Sequence, residues 1–169
     1  DRSHVESIIV RGNSRTKEYV VTRELPIESG DVFSKTRLST GLRNLYNLQY
    51  FSSVVPDIQP GSESNLVNII INVEEQMTNS IEFGLTFSGV TDPTQIPFAL
   101  FAKWSNTNVG GTGRTLSAST TISSSEQSVS LGYSQSWLGG LPIELNESLS
   151  FSHSKATSLR LKILPNGTV

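Results

Sequence analysis

The chain has 169 residues, a net charge of −2 and no cysteine. Its length suits one domain or two small ones, and its charge excludes the basic surface that nucleic-acid binding requires. The missing cysteines exclude a disulfide framework, a cysteine-based zinc site and a cysteine nucleophile. No run of about 18 apolar residues is present, which excludes a transmembrane helix. Because the chain starts at Asp1, we expect a processed product or a piece of a longer protein.

Composition changes near Met77. Residues 1–77 hold 8 of the 13 Lys and Arg residues and 10 of the 15 Asp and Glu residues, and Ser and Thr dominate the remainder. This asymmetry predicts two modules, one over residues 1–77 and one over residues 78–169.

The first module begins with a β-branched run and a helical segment. Val5–Val10 is typical of a strand. Ser14 or Thr16 is predicted to start the first helix, and Pro26 closes it because proline lacks the backbone N–H that a helix needs.

A second helix is marked more clearly. Ser34 is a good N-cap residue, and the apolar residues after it recur at the spacing of one helical face. The stripe predicted to be buried consists of Leu38, Leu42, Leu45 and Tyr46.

Two strands complete the first module. The segment 51–58 contains Pro56, which cannot donate a ladder hydrogen bond, so it is predicted to be an edge strand. Leu66–Val73 is apolar at nearly every position and is predicted to be central. The order is therefore β-α-α-β-β, an α+β fold with a three-stranded sheet covered by two helices.

The second module shows alternation of apolar and polar residues with no helical period, which predicts five or six antiparallel strands. The strands are expected at 79–88, 98–104, 116–123, 128–134, 143–152 and 159–163. Turns are expected at Gly110–Gly113, Ser123–Gln127, Gly139–Pro142 and Pro165–Gly167.

Two architectures fit this alternation. A soluble β-sandwich has the same pattern, usually with more charge on its wet face, whereas a membrane barrel turns apolar side chains to lipid. The sparse charge, with Trp104 and Trp137 near strand ends, favours the barrel. A membrane barrel needs at least about 8 strands, so residues 78–169 would supply only its beginning.

Several motifs in chain order resemble those of the POTRA-plus-barrel family of outer-membrane assembly factors. In the first module, the motifs that resemble a POTRA domain are Ile8–Thr16, Arg23–Leu25, Gly30–Ser34, Leu45–Phe51 and Val73–Glu75. In the second, Ile81–Gly84 and Asn108–Ser117 are similar to the opening strands of the attached transmembrane β-barrel. The resemblance implies the C-terminal POTRA domain of such a protein, followed by the first, truncated part of the barrel.

The resemblance implies a non-enzymatic insertase of the bacterial outer membrane. The POTRA domain would lie in the periplasm and dock unfolded outer-membrane proteins or accessory assembly lipoproteins, while the barrel contacts outer-membrane lipid. Two alternatives remain: a POTRA-barrel secretion transporter of the two-partner type, and a soluble β-sandwich binding module.

Two binding surfaces follow from this interpretation. An edge strand can accept an extended peptide, and the predicted groove beside the second helix is bordered by Ser52, Ser53, Val54, Val55, Asp57 and Ile58. Alternatively, Pro56 protects this edge against pairing. The resemblance also implies a barrel seam at the first barrel strand, where Gly84 and Gly89 would weaken strand packing, although an ordinary strand is the alternative. The seam residues are Ile81, Phe83, Gly84, Leu85 and Phe87.

No catalytic, cofactor or metal site is predicted. His4 and His153 are the only histidines and lie in different modules, and Glu74 and Glu75 are interpreted as solvated charges at a strand end. The glycines of Gly110–Gly113 are interpreted as a hairpin connection, because a phosphate-binding loop needs a lysine after the last glycine and a helix to follow.

Overall fold

The structure is a computed structural model, and it describes residues 2–87, 98–154 and 159–168, with Ser154 and the last range described as backbone alone. The chain divides into two compact units, which are described separately below. Unit 1 consists of Asp1–Thr78 and Gly110–Thr112, and unit 2 consists of Asn79–Val109 and Gly113–Val169.

Unit 1 is a three-stranded sheet with two helices, and the predicted β-α-α-β-β order is confirmed. The strand order is β1-β3-β2, with β1 parallel and β2 antiparallel to the central β3. The elements are β1 (His4–Arg11), α1 (Glu18–Thr22), α2 (Lys35–Asn47), β2 (Phe51–Pro60) and β3 (Leu66–Glu75).

The core of unit 1 lies between the helices and one face of the sheet. Ile69, Ile71 and Val73 alternate along β3 and are buried, as expected for the central strand. They pack in one cluster with residues from both helices and from β2, which include Val20, Val21, Leu38, Leu45 and Phe51. The predictions of a central β3 and an edge β2 are confirmed.

The first helix is shorter than predicted. It begins at Glu18 and ends at Thr22, so the predicted start at Ser14 or Thr16 is wrong. The Ser14 hydroxyl donates instead to the Glu75 carboxylate at 3.0 Å, which removes it from any capping role.

The second helix follows the sequence pattern with one exception. The Ser34 hydroxyl accepts a hydrogen bond from the Arg37 backbone N–H at 3.3 Å, which confirms the N-cap. Leu38 and Leu45 are buried and Leu42 is partly buried, but Tyr46 is 62% exposed, so its predicted burial is wrong. A helix turns by about 100° per residue, which places Tyr46 beyond the edge of the buried stripe.

Unit 2 is one six-stranded antiparallel sheet in which each strand pairs with the next along the chain. Its strands are β4 (Asn79–Phe87), β5 (Phe98–Asn106), β6 (Arg114–Ser123), β7 (Glu126–Gln135), β8 (Glu144–Ser154) and β9 (Leu159–Thr168). The described residues form no second sheet packed on this one, so the β-sandwich interpretation is wrong.

The connections of unit 2 agree with the predicted turns except at the end of the chain. Ser123–Gln127 holds the turn between β6 and β7, and Gly139 and Gly140 adopt positive φ in a turn closed by Leu138 and Leu141. The turn predicted at Pro165–Gly167 is wrong, because these residues lie inside β9. A proline is tolerated there because β9 is the last strand of the described sheet.

Among the residues that the structure describes, none of the helices has the length and apolar character needed to cross a membrane.

Candidate functional site

The two edges of the unit 1 sheet differ in how they are covered. The outer edge of β1 bonds to the segment before α2: the Val5 N–H donates to the Asp31 carbonyl at 2.8 Å, and the Gly30 N–H donates to the Val5 carbonyl at 2.7 Å. Within the described ranges, no backbone segment pairs with the outer edge of β2. The sheet therefore has one edge closed by its own chain and one open edge.

The predicted binding residues all lie on β2, but they do not share one role. Val55, Asp57 and Ile58 are exposed. Ser52 sits at a bulge where the register with β3 shifts, and its hydroxyl donates to the Glu74 carbonyl at 3.3 Å within the sheet. Ser53 pairs with Glu74 on the inner side of the ladder, so the open edge begins at Val54.

Pro56 determines which backbone groups the open edge offers. β2 stays in register with β3 from Ser53 to Pro60, although Pro56 has no N–H to donate. A proline is accommodated in a sheet when its nitrogen faces away from the ladder, and residues two apart point their backbone groups to the same side. The outward donors are therefore the N–H groups of Val54 and Ile58, with a gap between them at Pro56.

The side chains of these outward residues lie on the helix-covered face. Val54 is opposite Val73 and Ile58 is opposite Ile69, and both partners on β3 belong to the core. Val54 packs against the core, while Ile58 is 42% exposed. The open edge is therefore lined by the apolar side chains of Val54 and Ile58 on the face that the helices cover.

Helix α2 lies beside these apolar side chains of β2. It packs on β2, while its other flank faces the α1 side of the unit, where the Asn44 amide donates to the Glu24 carbonyl at 3.0 Å. Leu42 and Tyr46, one turn apart, lie on the opposite flank. We define the edge groove as Val54, Pro56 and Ile58 of β2 with Leu42 and Tyr46 of α2. Sequence reasoning missed Tyr46 as a groove residue because the apolar stripe placed it in the core.

The edge groove combines unpaired backbone groups with an apolar surface. An extended chain can add a strand to such an edge, and its alternate side chains then enter the groove. A segment with apolar residues at every second position is the chemistry that fits, and this is the pattern of a barrel strand.

A second polar cluster fixes the loop that follows β1. The Glu75 carboxylate accepts hydrogen bonds from the backbone N–H of Thr16 at 2.6 Å, from the backbone N–H of Arg15 at 3.1 Å and from the hydroxyl of Ser14. The Glu75 side chain is only 8% exposed, so its interpretation as a solvated charge is wrong. Burial raises the pKa of the Glu75 carboxyl, but the hydrogen bonds from Thr16, Ser14 and Arg15 outweigh this effect and the pKa is lowered.

The glycine-rich segment 110–113 is a turn between β5 and β6, as predicted. Gly110, Gly111 and Gly113 have positive φ, and the Asn108 side-chain oxygen accepts from the Gly113 N–H at 2.8 Å. Gly111 belongs to unit 1, where its carbonyl accepts from the Lys17 N–H at 2.9 Å. A Cβ atom at Gly111 would overlap the Arg15 carbonyl oxygen, so the close approach requires glycine.

The predicted seam residues lie on β4, which is the first strand of the unit 2 sheet and pairs only with β5 among the described strands. Four of them face one side and are exposed: Ile81, Phe83, Leu85 and Phe87. Phe83 is 81% exposed, which is unusual for a large apolar side chain and typical of a surface that meets lipid or another protein. Gly84 lies on the opposite face, and Gly89 lies outside the described residues.

Comparison with known proteins identifies the first unit. Residues 3–76 match the POTRA family, described as a surface antigen variable number repeat. Over 167 residues, the chain is 45% identical to a protein of Treponema pallidum (strain Nichols) described as an outer membrane protein assembly factor. The alignment covers 99% of this chain and 20% of that relative, so the chain spans about a fifth of the relative's length.

Solved structures extend the likeness to both units. BamA from Haemophilus ducreyi, in a form lacking POTRA domains 1–3, matches with a TM-score of 0.78 at 20% identity, over 95% of this chain and 30% of that one. CdiB from Escherichia coli matches with a TM-score of 0.60 at 17% identity, over 89% and 28% of the two chains. At these identities the matches show the fold: a POTRA domain followed by antiparallel strands like those of the BamA barrel.

Proposed function

We propose that the chain is part of a non-enzymatic insertase of the bacterial outer membrane. Residues 3–76 belong to the POTRA family, and the chain is a homologue of outer membrane protein assembly factors. On this proposal, unit 1 lies in the periplasm and takes up strands of unfolded outer-membrane proteins at the edge groove. Unit 2 begins the barrel, and the free edge of β4 pairs with incoming strands in the membrane.

The observation that carries the proposal is the contrast between the two edges of the unit 1 sheet. A protein that only needed protection from aggregation would cover both edges, and here the β1 edge is covered by Gly30 and Asp31. The β2 edge is left open beside an apolar groove with an exposed Tyr46. This arrangement supports binding over protection as the role of the β2 edge.

Unit 2 supports the membrane half of the proposal. Its β4 strand exposes Ile81, Phe83 and Phe87 on one face, while Ser80, Glu82 and Thr86 occupy the other. Lipid accepts the first face and a water-filled lumen accepts the second. The free energy for insertion would come from burying apolar strand faces in lipid and from completing backbone pairing, so neither a nucleotide nor a catalytic residue is required.

The proposed partners follow from these surfaces and, for the accessory lipoproteins, from the similarity to outer membrane protein assembly factors alone. Unfolded outer-membrane proteins supply the strands, outer-membrane lipid surrounds the barrel, and accessory assembly lipoproteins dock on the periplasmic unit. A secretion transporter of the same architecture is the alternative, because a fold shared with CdiB as well as BamA fits both roles.

Reconstitution tests the proposal. The full-length protein is placed in lipid vesicles, a urea-unfolded outer-membrane barrel is added, and its insertion is followed by the mobility shift that folded barrels show on unheated gels. Ile58→Pro removes an outward donor and a groove side chain, and we expect it to slow insertion roughly fivefold. Val55→Ala, on the other face of the same strand, should insert at the wild-type rate.

The outcomes separate the alternatives. Equal rates for wild type and Ile58→Pro would remove the edge groove from the mechanism. Passage of a soluble polypeptide into the vesicle lumen, with no insertion of barrels, would favour the secretion transporter.

A further inference from the structure

Gly84 lies in the middle of β4 and directly faces Phe101 on β5. A Cβ atom added to Gly84 would lie 2.9 Å from both the Cε1 and the Cζ atoms of the Phe101 ring. The ring therefore occupies the space that a side chain on β4 would take. Glycine normally leaves a gap in a strand, and here the gap is filled from the neighbouring strand.

Phe101 differs in chemical character from the other side chains on its face of the sheet. Its row across the sheet continues through Thr121, Ser128 and Ser152, all small and hydroxylated. Across the described strands β4 to β8, every other residue on this face is polar or small, so Phe101 is the one aromatic side chain there. Neither lipid contact nor a hydrophobic core explains a ring in this position, whereas the open backbone of Gly84 does.

The Gly84–Phe101 pair affects how firmly β4 is held in the sheet. β4 ends the described sheet, so its place and register depend on a single ladder with β5. The Gly84–Phe101 pair is the sixth of the nine pairs in that ladder, next to its centre. A weak centre would let β4 separate from β5 or slip along it, and a ring packed over the glycine opposes both movements.

We propose that Phe101 is a positioning residue that braces β4 on β5 while the outer edge of β4 pairs with an incoming strand. The proposal rests on the insertase function proposed above. Its consequence is directional: exchange of strands occurs at the outer edge of β4, and the β4–β5 ladder stays closed and in register.

Amide hydrogen exchange of the full-length protein in lipid vesicles tests the brace without measuring insertion. In Phe101→Ala we expect the amides of residues 80–86 to exchange roughly tenfold faster than in wild type. Gly84→Ala should have the same effect, because its methyl group displaces the ring. Phe151→Ala removes an aromatic side chain from β8, which does not pair with β4, and as the control it should leave the exchange of β4 unchanged. Phe101→Tyr should restore wild-type protection.

A register readout separates positioning from general stability. Single cysteines along β4 are crosslinked to an unfolded barrel substrate that carries one cysteine in its last strand. Wild type should give one dominant crosslinked position on β4, and Phe101→Ala should spread the product over positions two residues apart. A variant that was merely less stable would give less product at the same position.

Unchanged exchange of β4 in both Phe101→Ala and Gly84→Ala overturns the brace, as does an unchanged crosslinking position. If Phe101→Ala fails to accumulate, Phe101→Leu is measured in its place with the same expectations. An absence of substrate crosslinks to β4 in wild type would overturn the proposed insertase function, and the exchange experiment would still decide whether the brace exists.

Discussion

The Glu75 carboxylate lies 2.6 Å from the backbone nitrogen of Thr16, although 59 residues separate the two along the chain. Glu75 is the last residue of β3, and Thr16 belongs to the loop that follows β1. The carboxylate thus holds the loop against the end of the central strand, with Arg15 Nε 3.6 Å away.

Glu75→Gln is expected to lower the free energy of unfolding of unit 1 by about 2 kcal/mol, because an amide accepts hydrogen bonds less strongly than a carboxylate. The measurement is amide hydrogen exchange at Ile69 and Ile71 in the full-length protein, which should be faster in the variant. Glu74→Gln changes an exposed neighbour and serves as the control. Equal protection of the Ile69 and Ile71 amides in Glu75→Gln and Glu74→Gln would mean that the charge of Glu75 does not stabilise unit 1.

The Glu75 cluster also predicts a pH dependence. Because the folded-state pKa of Glu75 is below its ordinary value of 4.5, its contribution to stability is present above that pH and is lost as pH falls through the folded pKa. The difference in stability between wild type and Glu75→Gln should therefore be largest above pH 4.5 and shrink at lower pH. Glu6 has a pKa lowered by hydrogen bonds from Ser62, so some acid dependence should remain in the variant. A difference that stays constant down to the lowest accessible pH would contradict the assigned role.

Gly111 and Gly110 give a matched pair of substitutions. Both have positive φ, but only at Gly111 would a Cβ atom meet backbone, at the Arg15 carbonyl. Gly111→Ala should break the hydrogen bond from the Lys17 N–H, at a cost on the order of 1–3 kcal/mol in addition to the strain shared with Gly110→Ala. Exchange of the Lys17 amide reports this directly. Similar protection in both alanine variants would refute the close approach.

Tyr46→Ala tests the wall of the edge groove. Because Tyr46 is exposed, its loss should leave the fold intact while removing aromatic contact area from a bound strand. We expect roughly tenfold weaker binding of an unfolded barrel segment, measured by fluorescence anisotropy with the full-length protein in detergent. Tyr19→Ala removes another exposed tyrosine, from α1, and should bind as wild type does. If Tyr46→Ala and Tyr19→Ala weakened binding of the segment equally, the edge groove would not be its binding site.

Pro56→Ala distinguishes binding from protection at the β2 edge. The substitution supplies the missing donor between Val54 and Ile58, so a bound strand gains one hydrogen bond and roughly fivefold affinity. The same segment-binding measurement checks this. If the proline is protective instead, the variant should self-associate in sedimentation experiments with no gain in affinity for the segment.

Sequence patterns predicted the elements whose side chains repeat at a regular interval. The alternation of Ile69, Ile71 and Val73 identified the central strand, and Pro56 identified the edge. The six strands of unit 2 followed from the same period of two, because one face is apolar along each strand. These features are local, and the chain carries them in consecutive residues.

The errors arose where distant residues decide the structure. Ser14 looked like a helix cap, but a carboxylate 61 residues away binds its hydroxyl. Tyr46 fitted the apolar stripe of α2, yet the buried flank runs through Gly41, which approaches Leu25 closely and turns the tyrosine outward. The pairing of Gly84 with Phe101 depends on strand register, which neither strand reveals alone.

A photocrosslinking scan of β2 in living cells tests whether the edge groove binds unfolded barrel proteins. A photoreactive residue is placed in turn at positions 53 to 59 of the full-length protein while an outer-membrane barrel protein is being synthesised. We expect crosslinks to the unfolded barrel protein at Val54, Pro56 and Ile58, whose side chains lie on the groove side, and few at Val55 and Asp57. Uniform labelling along β2, or labelling confined to Val55 and Asp57, would contradict it.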